Sequence, residues 1–496
     1  MKMAKLHPDL QNKEFWYKDI TLIPNRLPDF ERDEVDLTTN FTKRITLKTP
    51  FVSSPMDTVT EAEMAILMAL MGGMGVIHYN FSTIDEQIEE VEKVKRFQAG
   101  FVFNPVVLSP ENTIQDVYSI NEKYGFFSVP ITEDGTLNSK LVGIVTHRDV
   151  RYRKDMKTKL KEGMTPRSEL IVAKKSDTID KNDLMTANNI LRKHNLDTLP
   201  VVDEKDRVIA LVADSDLEKN DRFPLATKNE NKQLRVFIAV ESRLKLAQER
   251  IGKAITAGID GIVIDASIVF KEQLEIAKFC KENFPSLDVI VGNVDSAEMV
   301  ERILEEGFKY CDAIKVGIGP GAACITQQEL GTGRAQASAV WECAQAVKKL
   351  EPKYGSMPII ADGGIKIPDE VNQDVSKPGD ITKALALGAQ TVMMGSLLAG
   401  LDESPGEKEF DYQENKMVKK YRGMGSLEAM ERRSAVRYAV DKTKIRIAEG
   451  VVTKVPYRGS GYDFLPRLVI GVRQSLQKQG FKNTKELQEE ADIRPI

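Results

Sequence analysis

Apolar positions along this chain fall into short, nearly unbroken runs separated by stretches with helical spacing. Eight runs stand out: TPFVSSPM (49–56), GMGVIH (73–78), LRVFIAV (234–240), GIVIDAS (261–267), DVIVGNV (288–294), AIKVGIG (313–319), PIIADGG (358–364) and TVMMGS (391–396). A strand covered on both faces reads as a continuous apolar run, so these predict a parallel sheet. Segments such as SAEMVERILEEG and DITKALALGA carry apolar residues every three or four positions and predict helices between the strands. Eight β/α units of this kind fit an α/β fold, a TIM (β/α)8 barrel, whose active sites lie where the strands end.

The pattern breaks between the second and third runs. From about 105 to 220 the chain repeats itself: PVVLSPENTIQDV, GFFSVPITEDG and LVGIVTHRDV are followed by LIVAKKSDTIDKNDL, NLDTLPVVDEKD and VIALVADSDL. Pro130 corresponds to Pro200, and Asp149 to Asp216. Each copy reads as helix, strand, turn, strand, helix. The pair resembles a tandem CBS module, a resemblance that implies a purine nucleotide site built on a Ser/Thr-x-x-Asp element. Thr146 to Asp149 fits that element, whereas the second copy has Ala213 in the hydroxyl position. The expected organisation is a barrel in two parts, 1–103 and 223–496, around an insert at 104–222.

Composition narrows the class without deciding it. A chain of 496 residues exceeds one compact core. A net charge of −4 speaks against phosphate-driven nucleic-acid binding. The longest apolar run, 64–77, is shorter than the roughly 18 residues that span a bilayer, and the N-terminus shows no signal-peptide pattern. The four cysteines, Cys280, Cys311, Cys324 and Cys343, form no CxxC pair. The expectation is a cytoplasmic protein. Of the four histidines, none follows His194, so a Cys324–His pair must borrow His78 or do without.

Chemistry gathers at the strand ends: Ser54 and Met56, Asp265, Asn293, the loop Gly317–Gly321, Asp362-Gly363-Gly364 and Gly395-Ser396. Glycines at the last two of these suit a phosphate held by backbone N–H groups, as they also suit ordinary turns. In KVGIGPGAACITQQ, Cys324 follows a glycine-rich loop that matches neither a P-loop nor a dinucleotide fingerprint. By itself it reads equally as a nucleophile or a small core residue. The stretch 419–450 is long, charged and punctuated by glycine, and reads as a loop able to cover the barrel mouth.

SSPMDTVTEAEMAI, GIGPGAACITQ, IADGGI, TKALALGAQTVMMGSLLAG and YRGMGSLEAM together resemble the inosine 5′-monophosphate (IMP) dehydrogenase family over nearly the whole chain, insert included. The resemblance implies oxidation of IMP to xanthosine monophosphate (XMP) with NAD, through a thioimidate on Cys324. Thr326, Arg437 and Tyr438 would assist, the last two on a mobile flap at about 402–450. IMP contacts carry over to Ser54, Met56, Asp362, Gly364, Gly395, Ser396, Tyr421, Gly423, Met424, Gly425 and Glu449. NAD contacts carry over to Asp265, Ser267, Asn293 and Gly317. A potassium ion would rest on the carbonyls of Gly319, Gly321 and Cys324. The family forms homotetramers, which CBS pairs can stack into octamers. Two other readings stay open: a guanosine monophosphate (GMP) reductase, which usually lacks the insert and the Arg-Tyr pair, and an inactive nucleotide sensor. Four features depart from the family pattern. Ala322 replaces a serine that touches phosphate, and Val269 and Glu241 replace glycines. The tail TKELQEEADIRPI lacks the Glu-Gly-Gly that completes a potassium site.

Overall fold

The computed structural model describes residues 4–496 except 12, 98–100, 104, 154, 182, 214–221, 270, 366–377 and 433–446. All eight runs become strands: β1 (Phe51–Ser53), β2 (Met74–Ile77), β3 (Phe237–Glu241), β4 (Gly261–Asp265), β5 (Asp288–Val294), β6 (Ala313–Val316), β7 (Ile359–Asp362) and β8 (Thr391–Met394). Every adjacent pair is parallel, and β8 pairs with β1 to close the barrel. Helices follow the strands, among them α1 (Ala62–Leu70), α2 (Ile84–Phe97), α3 (Leu244–Thr256), α4 (Lys271–Asn283), α5 (Ala297–Gly307) and α6 (Gln336–Tyr354).

Strand side chains alternate between two faces. One register packs Val52, Val76, Ala239, Val263, Ile290, Ala313, Ile360 and Met393, one residue from each strand, into a single buried cluster. That is the apolar layer expected inside such a barrel. Two positions further along the strands the same register turns polar, with Ser54, Glu241, Asp265, Lys315 and Asp362. The change of chemistry coincides with the end of the strands, where a cleft opens.

Beyond β8, strands β9 (Lys408–Asp411), β10 (Lys416–Arg422) and β11 (Val452–Pro456) form an antiparallel sheet, so 419–422 is strand where the sequence reads as loop; 433–446 of that stretch lie outside the described residues. The charges misled because Lys419 is buried, its ammonium held by the carbonyls of Leu401 (2.7 Å) and Ser404 (2.6 Å).

The chain divides into two compact units. One comprises residues 1–94, 225–227 and 235–496, and the other 95–224 and 228–234. The second unit repeats one motif. Helix Ile114–Tyr124 precedes the antiparallel pair Val129–Thr132 and Leu141–Val145; helix Leu184–His194 precedes the pair Thr198–Val202 and Val208–Ala213. Thr146 donates its N–H and hydroxyl to Asp149 (2.7 and 2.8 Å), closing the cap of a short helix. Asp216 lies outside the described residues.

Glu241 is bound bidentately by Arg250 of α3, at 2.7 and 2.6 Å, with both side chains essentially inaccessible. Arg250 also donates to Gln87 of α2 (2.8 Å), whose amide bonds the carbonyl ends of β2 and β3. Removing one partner of a buried pair strands the other charge. Glu241→Ala is expected to destabilise the barrel by about 3–5 kcal/mol in denaturant unfolding.

Candidate active site

The cleft at the strand ends opens to solvent and has a cavity volume of about 110 Å³. Its wall combines the polar ends of the barrel register with two glycine-rich segments, Gly317–Gly321 and Gly423–Gly425, and with Glu449. At its base Lys315 lies fully buried, 2.6 Å from Asp362 and 3.8 Å from Asp265. Asn293 donates to the same Asp362 oxygen (3.0 Å) and to the Gly317 carbonyl (2.6 Å). Gly317 is required by this geometry. Its φ is +141°, and a Cβ there would stand 2.3 Å from the Asp362 carbonyl.

Main-chain hydrogen bonds stitch the segments carrying these residues together. The N–H of Ile325 donates to Glu449 (2.9 Å), that of Val451 to Ala323 (3.0 Å), and those of Glu449 and Gly450 to Gly425 (3.0 and 3.1 Å). The approach is close enough that a Cβ on Gly423 would lie 2.6 Å from the Ala323 carbonyl. The result is a side-chain chain: Cys324 Sγ is 3.1 Å from Thr326 Oγ1, which donates to Glu449 Oε2 at 2.9 Å. Cys324 is partly accessible, whereas Cys280, Cys311 and Cys343 are buried. Burial pushes the Cys280 and Cys311 thiols up to about 12, which makes them poor nucleophiles. No histidine lines the cleft among the described residues; His78 is buried, facing Glu61 and the N–H of Asn80.

Strand β10 brings Tyr421 to the cleft, where its hydroxyl meets Met56 Sδ at 3.7 Å. Burial, and then the charges of Asp362 and Cys324, push its phenol up, so it remains a donor. The next residue clamps the strand down. Arg422 donates to Asp57 Oδ1 at 3.0 Å and Oδ2 at 2.5 Å, and Asn80 donates to Asp57 at 2.6 Å. Burial is the largest influence and opposes the Asp57 charge, but the hydrogen bond and charge of Arg422, the charge of His78 and the hydrogen bond from Asn80 together outweigh it and hold the carboxyl below its ordinary range.

Ser54, Met56, Asp265, Ser267, Asn293, Gly317, Gly319, Gly321, Cys324, Thr326, Asp362, Tyr421, Gly423, Met424, Gly425 and Glu449 all line the one cleft. Gly364, Gly395 and Ser396 are not among its lining residues. Gly395 flanks it, since a Cβ there would sit 3.0 Å from Tyr421 Oη and 3.1 Å from Met56 Sδ. Arg437 and Tyr438 lie outside the described residues. Lys315 lines the cleft as well, and no motif announces it; its one signal is a lysine inside an otherwise apolar strand.

The departures have structural explanations. Ala322 is exposed and Glu241 is turned to Arg250; neither lines the cleft. Val269 donates its N–H to Asn293 O (2.9 Å) and is not among the positive-φ residues, so a β-branched side chain sits there without backbone strain. The tail folds as helix Thr484–Glu490 and strand Asp492–Pro495.

A closed parallel barrel whose strand ends open into a cleft lined by a partly accessible thiol and paired buried charges has the architecture of a (β/α)8-barrel enzyme. The sequence profile of the IMP dehydrogenase / GMP reductase domain matches residues 14–496, and the chain belongs to that family. It is 43% identical over 486 residues to the inosine-5′-monophosphate dehydrogenase of Schizosaccharomyces pombe, covering 96% of this chain and 87% of that one. With the enzyme of the same name from Bacillus subtilis the identity is 40%, over 96% of this chain and 92% of that one. Among solved structures, a GMP reductase variant from Trypanosoma brucei in complex with guanosine 5′-monophosphate superposes with a TM-score of 0.84. It is 29% identical and covers 99% of this chain and 97% of its own. A GMP reductase thus spans the whole length of this chain, insert included, so the insert does not separate the two activities. Among the described residues no helix is long and apolar enough to cross a membrane.

Asp57→Asn is expected to cost about 3 kcal/mol in denaturant unfolding, because Arg422 loses its buried counter-charge and keeps only the exposed Glu428, 3.2 Å away. The wild-type carboxyl titrates below the ordinary value of about 3.9. The stability gap should therefore persist down to about pH 4 and shrink only in stronger acid.

Proposed function

We propose that the chain oxidises IMP to XMP with NAD⁺, with Cys324 as the nucleophile. The observation that carries this reading is the Cys324–Thr326–Glu449 chain at the mouth of a barrel whose relatives, at 38–43% identity, are named as IMP dehydrogenases. Cys324 Sγ adds to C2 of the hypoxanthine ring, its proton passing through Thr326 Oγ1 toward Glu449. NAD⁺, when bound, supplies the hydride acceptor for the hydrogen leaving C2. The thioimidate left on Cys324 is hydrolysed by water: oxygen bonds to C2, the C–S bond breaks, one water proton goes to the ring nitrogen and the other is taken by the enzyme's base and returned to the Cys324 thiolate. Two easier steps replace one difficult one.

Arg437, with Tyr438, is the proposed base for the hydrolysis. An arginine is an awkward base, since its pKa ordinarily exceeds about 12, and Thr326 with Glu449 offers a second route for the proton. Asp362 would accept from the IMP ribose, and Gly364, Gly395 and Ser396 would hold its phosphate. Asp265, Ser267, Asn293 and Gly317 would take the nicotinamide ribose. The residues suit a polar ligand there, because Asn293 Oδ1 is buried without a hydrogen-bond partner among the described residues. Loop carbonyls of Gly319, Gly321 and Cys324 would support a potassium ion. Gly321 O already accepts the Cys324 N–H at 3.0 Å, leaving a second lone pair. The repeat unit would take a purine nucleotide as a CBS pair, and the active form would be a homotetramer.

The structural likeness to a GMP reductase keeps a second reading in view: NADPH-dependent deamination of GMP to IMP. Following nicotinamide absorbance decides between them. A rise with IMP and NAD⁺ is expected; a fall with GMP and NADPH would select the reductase; no change with either would leave a nucleotide-binding protein without turnover. Cys324→Ser is expected to abolish turnover while leaving IMP binding in place, and a variant that kept most of its activity would remove Cys324 from the mechanism.

A further inference from the structure

We infer that Lys315 is a positioning residue that joins the two halves of the cleft, its ammonium bridging the carboxylates of Asp362 and Asp265 so that one charge orients the acceptor offered to each nucleotide. The inference rests on the proposed reading, in which Asp362 faces the ribose of IMP and Asp265 the ribose of the nicotinamide nucleotide.

Lysine is almost never fully buried unless it is paired. Lys315, in the middle of β6, has no accessible surface as a residue, and it lies against a cleft that both carboxylates line. Its Nζ is 2.6 Å from Asp362 Oδ2, at the end of β7, and 3.8 Å from Asp265 Oδ1, at the end of β4. Asn293 adds a second donor to Asp362 Oδ2 at 3.0 Å, so two fixed donors converge on one oxygen and set the plane of that carboxylate. An ammonium carries three donors and no acceptor, which suits it to span two carboxylates but not to contact ribose hydroxyls in their place. Lys315 therefore acts through its neighbours. A lysine kept for packing alone would alter stability and leave both nucleotides indifferent to its charge.

The test uses full-length protein with Lys315→Met, Lys315→Gln and Lys315→Arg, each checked for native thermal unfolding before kinetics with IMP and NAD⁺. Lys315→Met removes a charged hydrogen bond from Asp362 and a buried ion pair from Asp265, so KM should rise about tenfold or more for IMP and measurably for NAD⁺, with kcat falling less. Arginine keeps the charge and can fork across two carboxylates, so Lys315→Arg should return both KM values to within about threefold of wild type. Unchanged KM values in a folded Lys315→Met or Lys315→Gln protein, or a rise for one nucleotide only, would overturn the inference. If neither neutral variant folds, Lys315→Arg decides: a folded protein with KM for either nucleotide raised more than about tenfold overturns it, and near-native values uphold it. Wild-type protein inert toward IMP and NAD⁺ would instead refute the underlying reading and the inference with it.

Discussion

Main-chain hydrogen bonds between three segments hold Cys324 where it is, and the chemistry of the cleft depends on them. Ile325 and Val451 exchange bonds with Glu449 and Ala323, while Glu449 and Gly450 close onto Gly425. Backbone can approach backbone this closely only where no Cβ intervenes, which is why Gly423 stands against the Ala323 carbonyl. The same stitching brings a hydroxyl and a carboxylate, Thr326 and Glu449, into line with the thiol although they are 123 positions apart. The proposed nucleophile, with no histidine beside it in the cleft, would thereby have a path for its proton.

The barrel supplies the rigid frame for this stitching. Its inward register is apolar for one layer and polar for the next, so each strand contributes first to stability and then to chemistry. The polar layer is a dense set of charges, and its members are paired rather than solvated: Glu241 with Arg250, Lys315 with Asp362. Pairing matters because a lone buried charge is far more costly than a matched one. Arg422 and Asp57 extend the principle outward, tying the sheet that follows the barrel to the loop after β1 and so placing Tyr421 beside Met56.

The eight strands were legible because burial on both faces writes itself into each segment as an apolar run, and strand ends could be read from the glycine and acidic residues that stop those runs. The repeated unit was legible for a related reason, since its two copies keep prolines at matching strand positions, Pro130 and Pro200. Strand β10 was not legible. Its lysines carry the look of a solvated loop, and only the Leu401 and Ser404 carbonyls, contributed by the segment after β8, make a buried Lys419 tolerable.

By itself, then, the sequence determined the alternation of strand and helix, the internal repeat, and the roster of glycine-rich motifs around Cys324, because these depend on local periodicity and local backbone freedom. It could not determine which of the barrel's buried charges face one another. Glu241 reads as a departure until Arg250 is seen to bind it, and Lys315 reads as a stray polar residue until Asp362 and Asp265 are seen on either side. Packing decides those partnerships: it folds the helix after β3 back onto its own strand for Glu241 and Arg250, and it sets side by side the ends of β4, β6 and β7 for Asp265, Lys315 and Asp362.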